Sequence, residues 1–332
     1  MILNPSIIAL ISGSIFLSFY AVYASVIGIQ IINWWDIRSG SERQLSLERK
    51  TYLVSMVLAY VMGFEIFSLF LFTYTADSIH TLFVGAMCAA GSLNVNTYGY
   101  PALLLKMANV VLCGIWLILN YIDNRAYDYP LIKEKYELLV GLSMLLVLET
   151  IVQLKYFMNL KADVITSCCG TLFSEDAKTI AGEIAHFPTY IAKIVFFISV
   201  VLTLRVGIHF YVTGKAANLF SGLSTWLFFF SLVSVISFIS LYFYELPTHH
   251  CPFCLLQKDY HYIGYPLYIS LFGAGITGAG VGMINRFKDT ASLKMIIPSA
   301  QKKLCLASII CYVIFVFISV YPMISTDFIL ES

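Results

Sequence analysis

Charge is what this chain has least of. Only 12% of its 332 residues are Asp, Glu, Lys or Arg, about half the share of an ordinary soluble domain. That excludes a soluble globular domain. A formal net charge of +1 with no basic tail also excludes the electrostatic footprint of a nucleic-acid binder. The start, Met1-Ile2-Leu3-Asn4-Pro5, lacks the positive n-region and small-residue cleavage site of a signal peptide, so the first apolar run is expected to remain as a spanning helix. No Walker-type loop, H-E-x-x-H pair or nucleophile elbow occurs, and Cys254 is followed by leucine rather than the histidine of covalent haem attachment. A G-x-G-x-x-G string does occur among Gly273, Gly275, Gly278, Gly280 and Gly282. It lies inside an apolar run rather than between a strand and a helix, so it reads as close helix packing and not as a dinucleotide fingerprint.

What is abundant is apolar surface: 59% of residues are hydrophobic and the mean hydropathy is +0.83. About eight runs are long enough to cross a hydrocarbon core of ~30 Å. They cover 8–32, 52–74, 101–121, 138–157, 188–212, 219–244, 262–284 and 304–324. Lipid cannot satisfy an open strand edge, so all are expected to be helices, giving an all-α polytopic membrane protein. It reads as one membrane domain, residues 1–332, with 1–158 and 159–332 as candidate halves. The halves rest on an echo: Cys88 precedes Gly99-Tyr100-Pro101 much as Cys254 precedes Gly264-Tyr265-Pro266, four helices apart.

Lys and Arg cluster in the odd-numbered connections, among them Arg38, Arg43, Arg49 and Lys50 in the first and Arg286, Lys288 and Lys294 in the seventh. The positive-inside bias puts those connections in the cytoplasm and both termini outside, in a bacterial or archaeal plasma or inner membrane. Cys88, Cys168, Cys169, Cys251 and Cys254 then share the extracytoplasmic face with His80, His186, His249, His250 and His261. Disulfides persist on that side. Cys113, Cys305 and Cys311 sit inside apolar runs and read as core.

The polar interruption His249-His250-Cys251-Pro252-Phe253-Cys254-Leu255-Leu256-Gln257-Lys258 holds the chain's one C-x-x-C. That spacing lets two sulfurs meet in a disulfide or on a metal. Pro252 reads as the first residue of a helix, which would place Cys254 in a first turn where backbone N–H groups favour a thiolate. Cys251 would then lie at the exposed edge and Cys254 one turn deeper. The stretch 76–100 reads as an outer cap or a re-entrant segment, with Asn94, Asn96 and Tyr98 able to bond a ligand. Glu65 and Glu149 are the deepest acids, with Lys106, Lys193 and Arg205 as candidate partners, in either a proton relay or buried ion bridges.

C-P-F-C-L-L-Q-K resembles the C-P-L-C-L-L-Q-R pattern of disulfide bond formation protein B, whose relatives include the vitamin K epoxide reductases. The order of loop cysteines followed two helices later by C-x-x-C is similar to that of the reductases. The resemblance covers about ten residues, with Lys258 where the family usually has arginine. It implies a quinone-linked thiol-disulfide oxidoreductase. Cys251 and Cys254 would be the redox pair, and Gln257, Lys258 and His261 would lie near the quinone. Cys168 or Cys169 would pass the disulfide to an extracytoplasmic thioredoxin-like partner. The alternatives are a soft-metal carrier or sensor for copper, zinc or mercury, built from Cys251, Cys254, His249, His250, Cys168, Cys169, His186 and Cys88, and a non-catalytic subunit of a larger membrane complex whose cysteines staple loops.

Overall fold

The computed structural model describes residues 3–161, 164–166, 182, 188–328 and 330. Eight of the helices among them are apolar and long enough to span a membrane. They are α1 (Pro5–Trp34), α2 (Glu42–Ser78), α4 (Gly99–Asp123), α5 (Ile132–Met158), α6 (Thr189–Thr213), α7 (Ala217–Tyr244), α8 (Gly264–Asn285) and α9 (Ile296–Ser325), with a short α3 (Ala89–Leu93) between α2 and α4. This is an all-α integral membrane protein, and each expected span coincides with a helix. Large apolar side chains point outward, as lipid contact requires: Phe19, Tyr60, Phe67 and Phe317 are among the most exposed.

Local chemistry sets the helix ends. Asn4 Oδ1 accepts the Ser6 N–H at 3.0 Å and Pro5 occupies the first helical position, so α1 begins with a satisfied donor and a preset φ. At the other end of α6, Gly214 takes the left-handed conformation, φ 71°, that a side chain would resist.

The chain divides into two compact units. The first comprises Met1–Thr73, Asn96–Leu160 and Arg286–Ala300; the second comprises Tyr74–Val95, Lys161–Asn285 and Gln301–Ser332. The segment 74–95 thus belongs with the later part of the chain. Both Gly-Tyr-Pro tripeptides open long helices, α4 and α8.

In the first unit α1 lies against α5. Between apolar helices in lipid, small residues and interhelical hydrogen bonds supply the association that the hydrophobic effect supplies in water. Here Ser18 Oγ donates to Leu146 O (3.1 Å), Thr150 Oγ1 lies 2.6 Å from Ser18 Oγ, and Gln153 Nε2 donates to Ser14 Oγ (3.0 Å). Trp116 Nε1 donates to Lys135 O at 3.0 Å and Lys135 Nζ pairs with Asp123 at 2.6 Å, joining α4 to α5 beside a core that includes Ile27, Leu58, Cys113 and Leu139. In the second unit α8 packs closely on α7. A Cβ at Gly275 would lie 2.6 Å from the Phe228 ring, and one at Gly278 only 1.8 Å from Ser224 Oγ, so the glycines are there for approach, as their apolar setting predicts. Cys113 and Cys305 are fully buried, in line with their reading as core.

Candidate functional site

Two loops of the second unit meet at their cysteines. The first follows α2. A 3-10 turn, His80–Leu82, leads to Gly85, whose φ of +88° only glycine adopts easily, and then to Cys88 at the head of α3. Thr166 fastens this loop: its N–H donates to Val84 O (3.0 Å) and its Oγ1 to Gly91 O (2.9 Å). Cys88, Ala89, Ala90 and Leu93 are completely buried, while Leu82, Val84 and Met87 before them are exposed, so the stretch buries its cysteine side and turns an apolar side outward.

The second loop carries the C-x-x-C. It does not begin a helix: Cys254–Leu256 forms one 3-10 turn, Lys258–Tyr260 another, and α8 starts only at Gly264. In place of the helix expected from Pro252 the chain makes a single 3-10 turn that ends where Gln257 turns extended, ψ 160°. Tertiary contacts anchor the segment in that path: Tyr244 Oη donates to Cys251 O at 2.6 Å and Tyr268 Oη donates to Pro252 O at 2.7 Å. Cys254 therefore has no helix N-terminus to stabilise a thiolate. Cys251, expected at an exposed edge, is fully buried, and Cys254 is 5% exposed.

Gln257 binds the two loops together. Its Nε2 donates to Asp77 Oδ1 (3.0 Å) and to Met87 O (2.9 Å), and the same Asp77 oxygen accepts the Ala89 N–H (3.1 Å). The result is a compact sulfur cluster. Cys88 Sγ lies 3.5 Å from Cys251 Sγ, and the sulfurs of Cys88, Cys251 and Cys254 are all within 4.8 Å of one another. A disulfide needs about 2.05 Å, so a relative shift of about 1.5 Å would join Cys88 to Cys251. Thiolates at ~2.3 Å from a tetrahedral metal stand roughly 3.8 Å apart, which these separations also straddle.

His249 Nε2 lies 3.4 Å from Cys254 Sγ, and its ring stands edge-on to Tyr244 at 4.4 Å between centroids. Burial lowers the His249 pKa, with the Cys88 sulfur acting in the opposite sense. The ring is consequently neutral at pH 7 and able to take a proton from a thiol. Tyr260 also meets Tyr244 edge-on, 4.7 Å between centroids. Burial, Cys254 and Asp259 push its hydroxyl upward, which keeps it protonated.

The remaining expected site residues are placed differently. His250 turns away to Ile236 O (2.9 Å), a carbonyl inside the π-turn Val235–Ile239 of α7. Gln257 is structural in its contacts. Lys258 and His261 are exposed, and His261 sits in left-handed backbone, φ 53°. Asn96 Nδ2 donates to Tyr156 O (3.1 Å) and its Oδ1 accepts the Tyr98 N–H, so this pair supports its own unit rather than a ligand. Lys193 donates to Tyr242 Oη (2.8 Å), not to a buried acid, and Arg205 forms no ion pair among the described residues. Cys168, Cys169 and His186 lie outside the described residues. Asp77, Tyr244 and Tyr268 escaped the sequence reading; an acid near the end of an apolar run was the only signal for the first, and tyrosines among 22 gave none.

No protein-family model, curated protein or solved structure matches this chain.

Proposed function

We propose that this protein is a membrane thiol-disulfide oxidoreductase in which Cys88 exchanges with the Cys251–Cys254 pair. The observation that carries the reading is the 3.5 Å between the Cys88 and Cys251 sulfurs with Cys254 alongside, since three thiols in mutual reach let one disulfide move among them. The resemblance of C-P-F-C-L-L-Q-K to the quinone-linked motif of disulfide bond formation protein B supplies the acceptor. Cys251 and Cys254 lose two electrons and two protons in forming a disulfide, and a membrane quinone becomes a quinol. Cys88 thiolate then attacks Cys251. The Cys88–Cys251 bond forms, the Cys251–Cys254 bond breaks, and Cys254 leaves as thiolate beside His249, which receives or returns the proton. Cys168 or Cys169 carries the oxidising equivalent onward to a thioredoxin-like partner; the segment leading to them is held at Val84 and Gly91 by Thr166. The lysine and arginine bias of the connections puts this face outside the cytoplasm, where oxidised cysteines persist.

A second reading has its own observation. Three sulfurs within 4.8 Å and an imidazole nitrogen 3.4 Å from one of them form a donor set suited to a soft metal such as copper, zinc or mercury. The test is to mix the reduced, purified chain with a short-chain ubiquinone and follow quinol formation and thiol loss. One quinol and two thiols lost per chain, abolished in Cys251→Ser, is the expected result. No quinol, with one tightly held metal ion per chain, would replace the oxidoreductase by the metal-binding reading.

A further inference from the structure

The first unit buries a second polar cluster that the thiol chemistry does not use. Glu65 on α2, Lys106 and Asn109 on α4 and Glu149 on α5 are each no more than 1% exposed, in the middle of spanning helices. Lys106 Nζ sits between three oxygens: Glu149 Oε1 at 2.6 Å, Ser68 Oγ at 2.8 Å and Glu65 Oε1 at 3.4 Å. Among the described residues the Cys113 thiol also faces the cluster.

Two carboxylates face one ammonium, so the fully ionised cluster would carry a net charge of −1. Isolated in hydrocarbon, such a charge costs several kcal/mol and demands a compensating positive charge. Lys106 Nζ already fills the position among the oxygens that a metal ion would take. The hydrogen-bond pattern is also short of hydrogens rather than of acceptors. Ser68 Oγ donates to Glu65 O at 2.8 Å and lies 3.0 Å from Glu65 Oε2, and its single hydrogen cannot serve both. Asn109 Oδ1 is buried with no donor among the described residues. We propose that Glu65 and Glu149 hold one exchangeable proton between them, making this cluster a proton-binding site inside the membrane. The contacts place it on Glu65. Glu149 receives two strong donors, Lys106 Nζ and Asn109 Nδ2, both at 2.6 Å, and stays ionised, whereas Glu65 has the longer lysine contact, a Ser68 oxygen, and the Glu149 carboxylate within hydrogen-bond reach, acceptors that a proton on Glu65 would serve. The site's ligand is a proton, taken up or released without any role for the cysteines.

The test is infrared difference spectroscopy on the full chain in phosphatidylcholine vesicles, grown with and without carboxyl-13C glutamate. At neutral pH a protonated-carboxyl C=O band is expected that shifts with the label, shifts again in deuterium oxide, and disappears in Glu65→Gln. Absence of any labelled protonated band in the wild-type chain, or its loss on adding sodium ions alone, would overturn the proposal. The wild-type isotope result decides the matter even where the variant fails to fold, and it is independent of the outcome at the thiols.

Discussion

Replacing Cys254 by serine is expected to leave Cys251 covalently joined to Cys88 in most of the oxidised chain. With the partner at 254 gone, the Cys251 sulfur has one thiol at 3.5 Å, and closing that gap to disulfide length takes about 1.5 Å of movement between two loops. A mixed disulfide persists when the thiol that would resolve it is missing. Peptide mapping without reductant should recover a fragment linking residues 88 and 251, and adding Cys88→Ser should remove it. A Cys254→Ser chain that keeps both thiols reduced under oxidant would refute the exchange role of Cys88. The expected partner is Cys88 because this thiol, 163 residues away in the chain, lies beside Cys251 in the fold, whereas Cys168 and Cys169 lie outside the described residues.

The second large effect concerns Lys106. Lys106→Met would leave the ionised Glu149 buried with no cation, beside a protonated Glu65, and breaking a buried pair by removing one partner costs about 3–5 kcal/mol. The 2.6 Å contact to Glu149 and the 2.8 Å bond to Ser68 go together, so α2, α4 and α5 lose a shared junction. We expect a marked fall in the thermal midpoint of the detergent-solubilised chain, with much of the variant lost to aggregation. A midpoint within a degree or two of wild type would show that the cluster contributes little to holding these helices.

The spanning helices were legible because hydropathy is a local property: apolar runs of 20 residues or more leave a backbone few choices in lipid. Cys113 and Cys305 were legible as core for the same reason, and Gly275 and Gly278 because an apolar setting leaves packing as their use. The C-x-x-C was visible as a pair, and Cys88 was visible as a cysteine on the same face. Their meeting was not, since it depends on Gln257 reaching Asp77 and Met87, 180 and 170 residues earlier in the chain. Pro252 misled for a related reason. Its helix-start signal is local, whereas the Tyr244 and Tyr268 hydroxyls that anchor the observed path come from the helices on either side. Lys106 as partner to both Glu65 and Glu149 was among the candidate pairings, but Lys193 and Arg205 looked equally suitable until the helices were packed.

The most direct measurement is the disulfide map of the wild-type chain equilibrated across a series of glutathione potentials, with metal content determined on the same samples. The exchange reading predicts one disulfide per cluster at oxidising potentials, distributed between Cys251–Cys254 and Cys88–Cys251, disappearing together as the potential falls and with no bound metal required. Three reduced thiols at every potential, accompanied by one metal ion per chain, would contradict it.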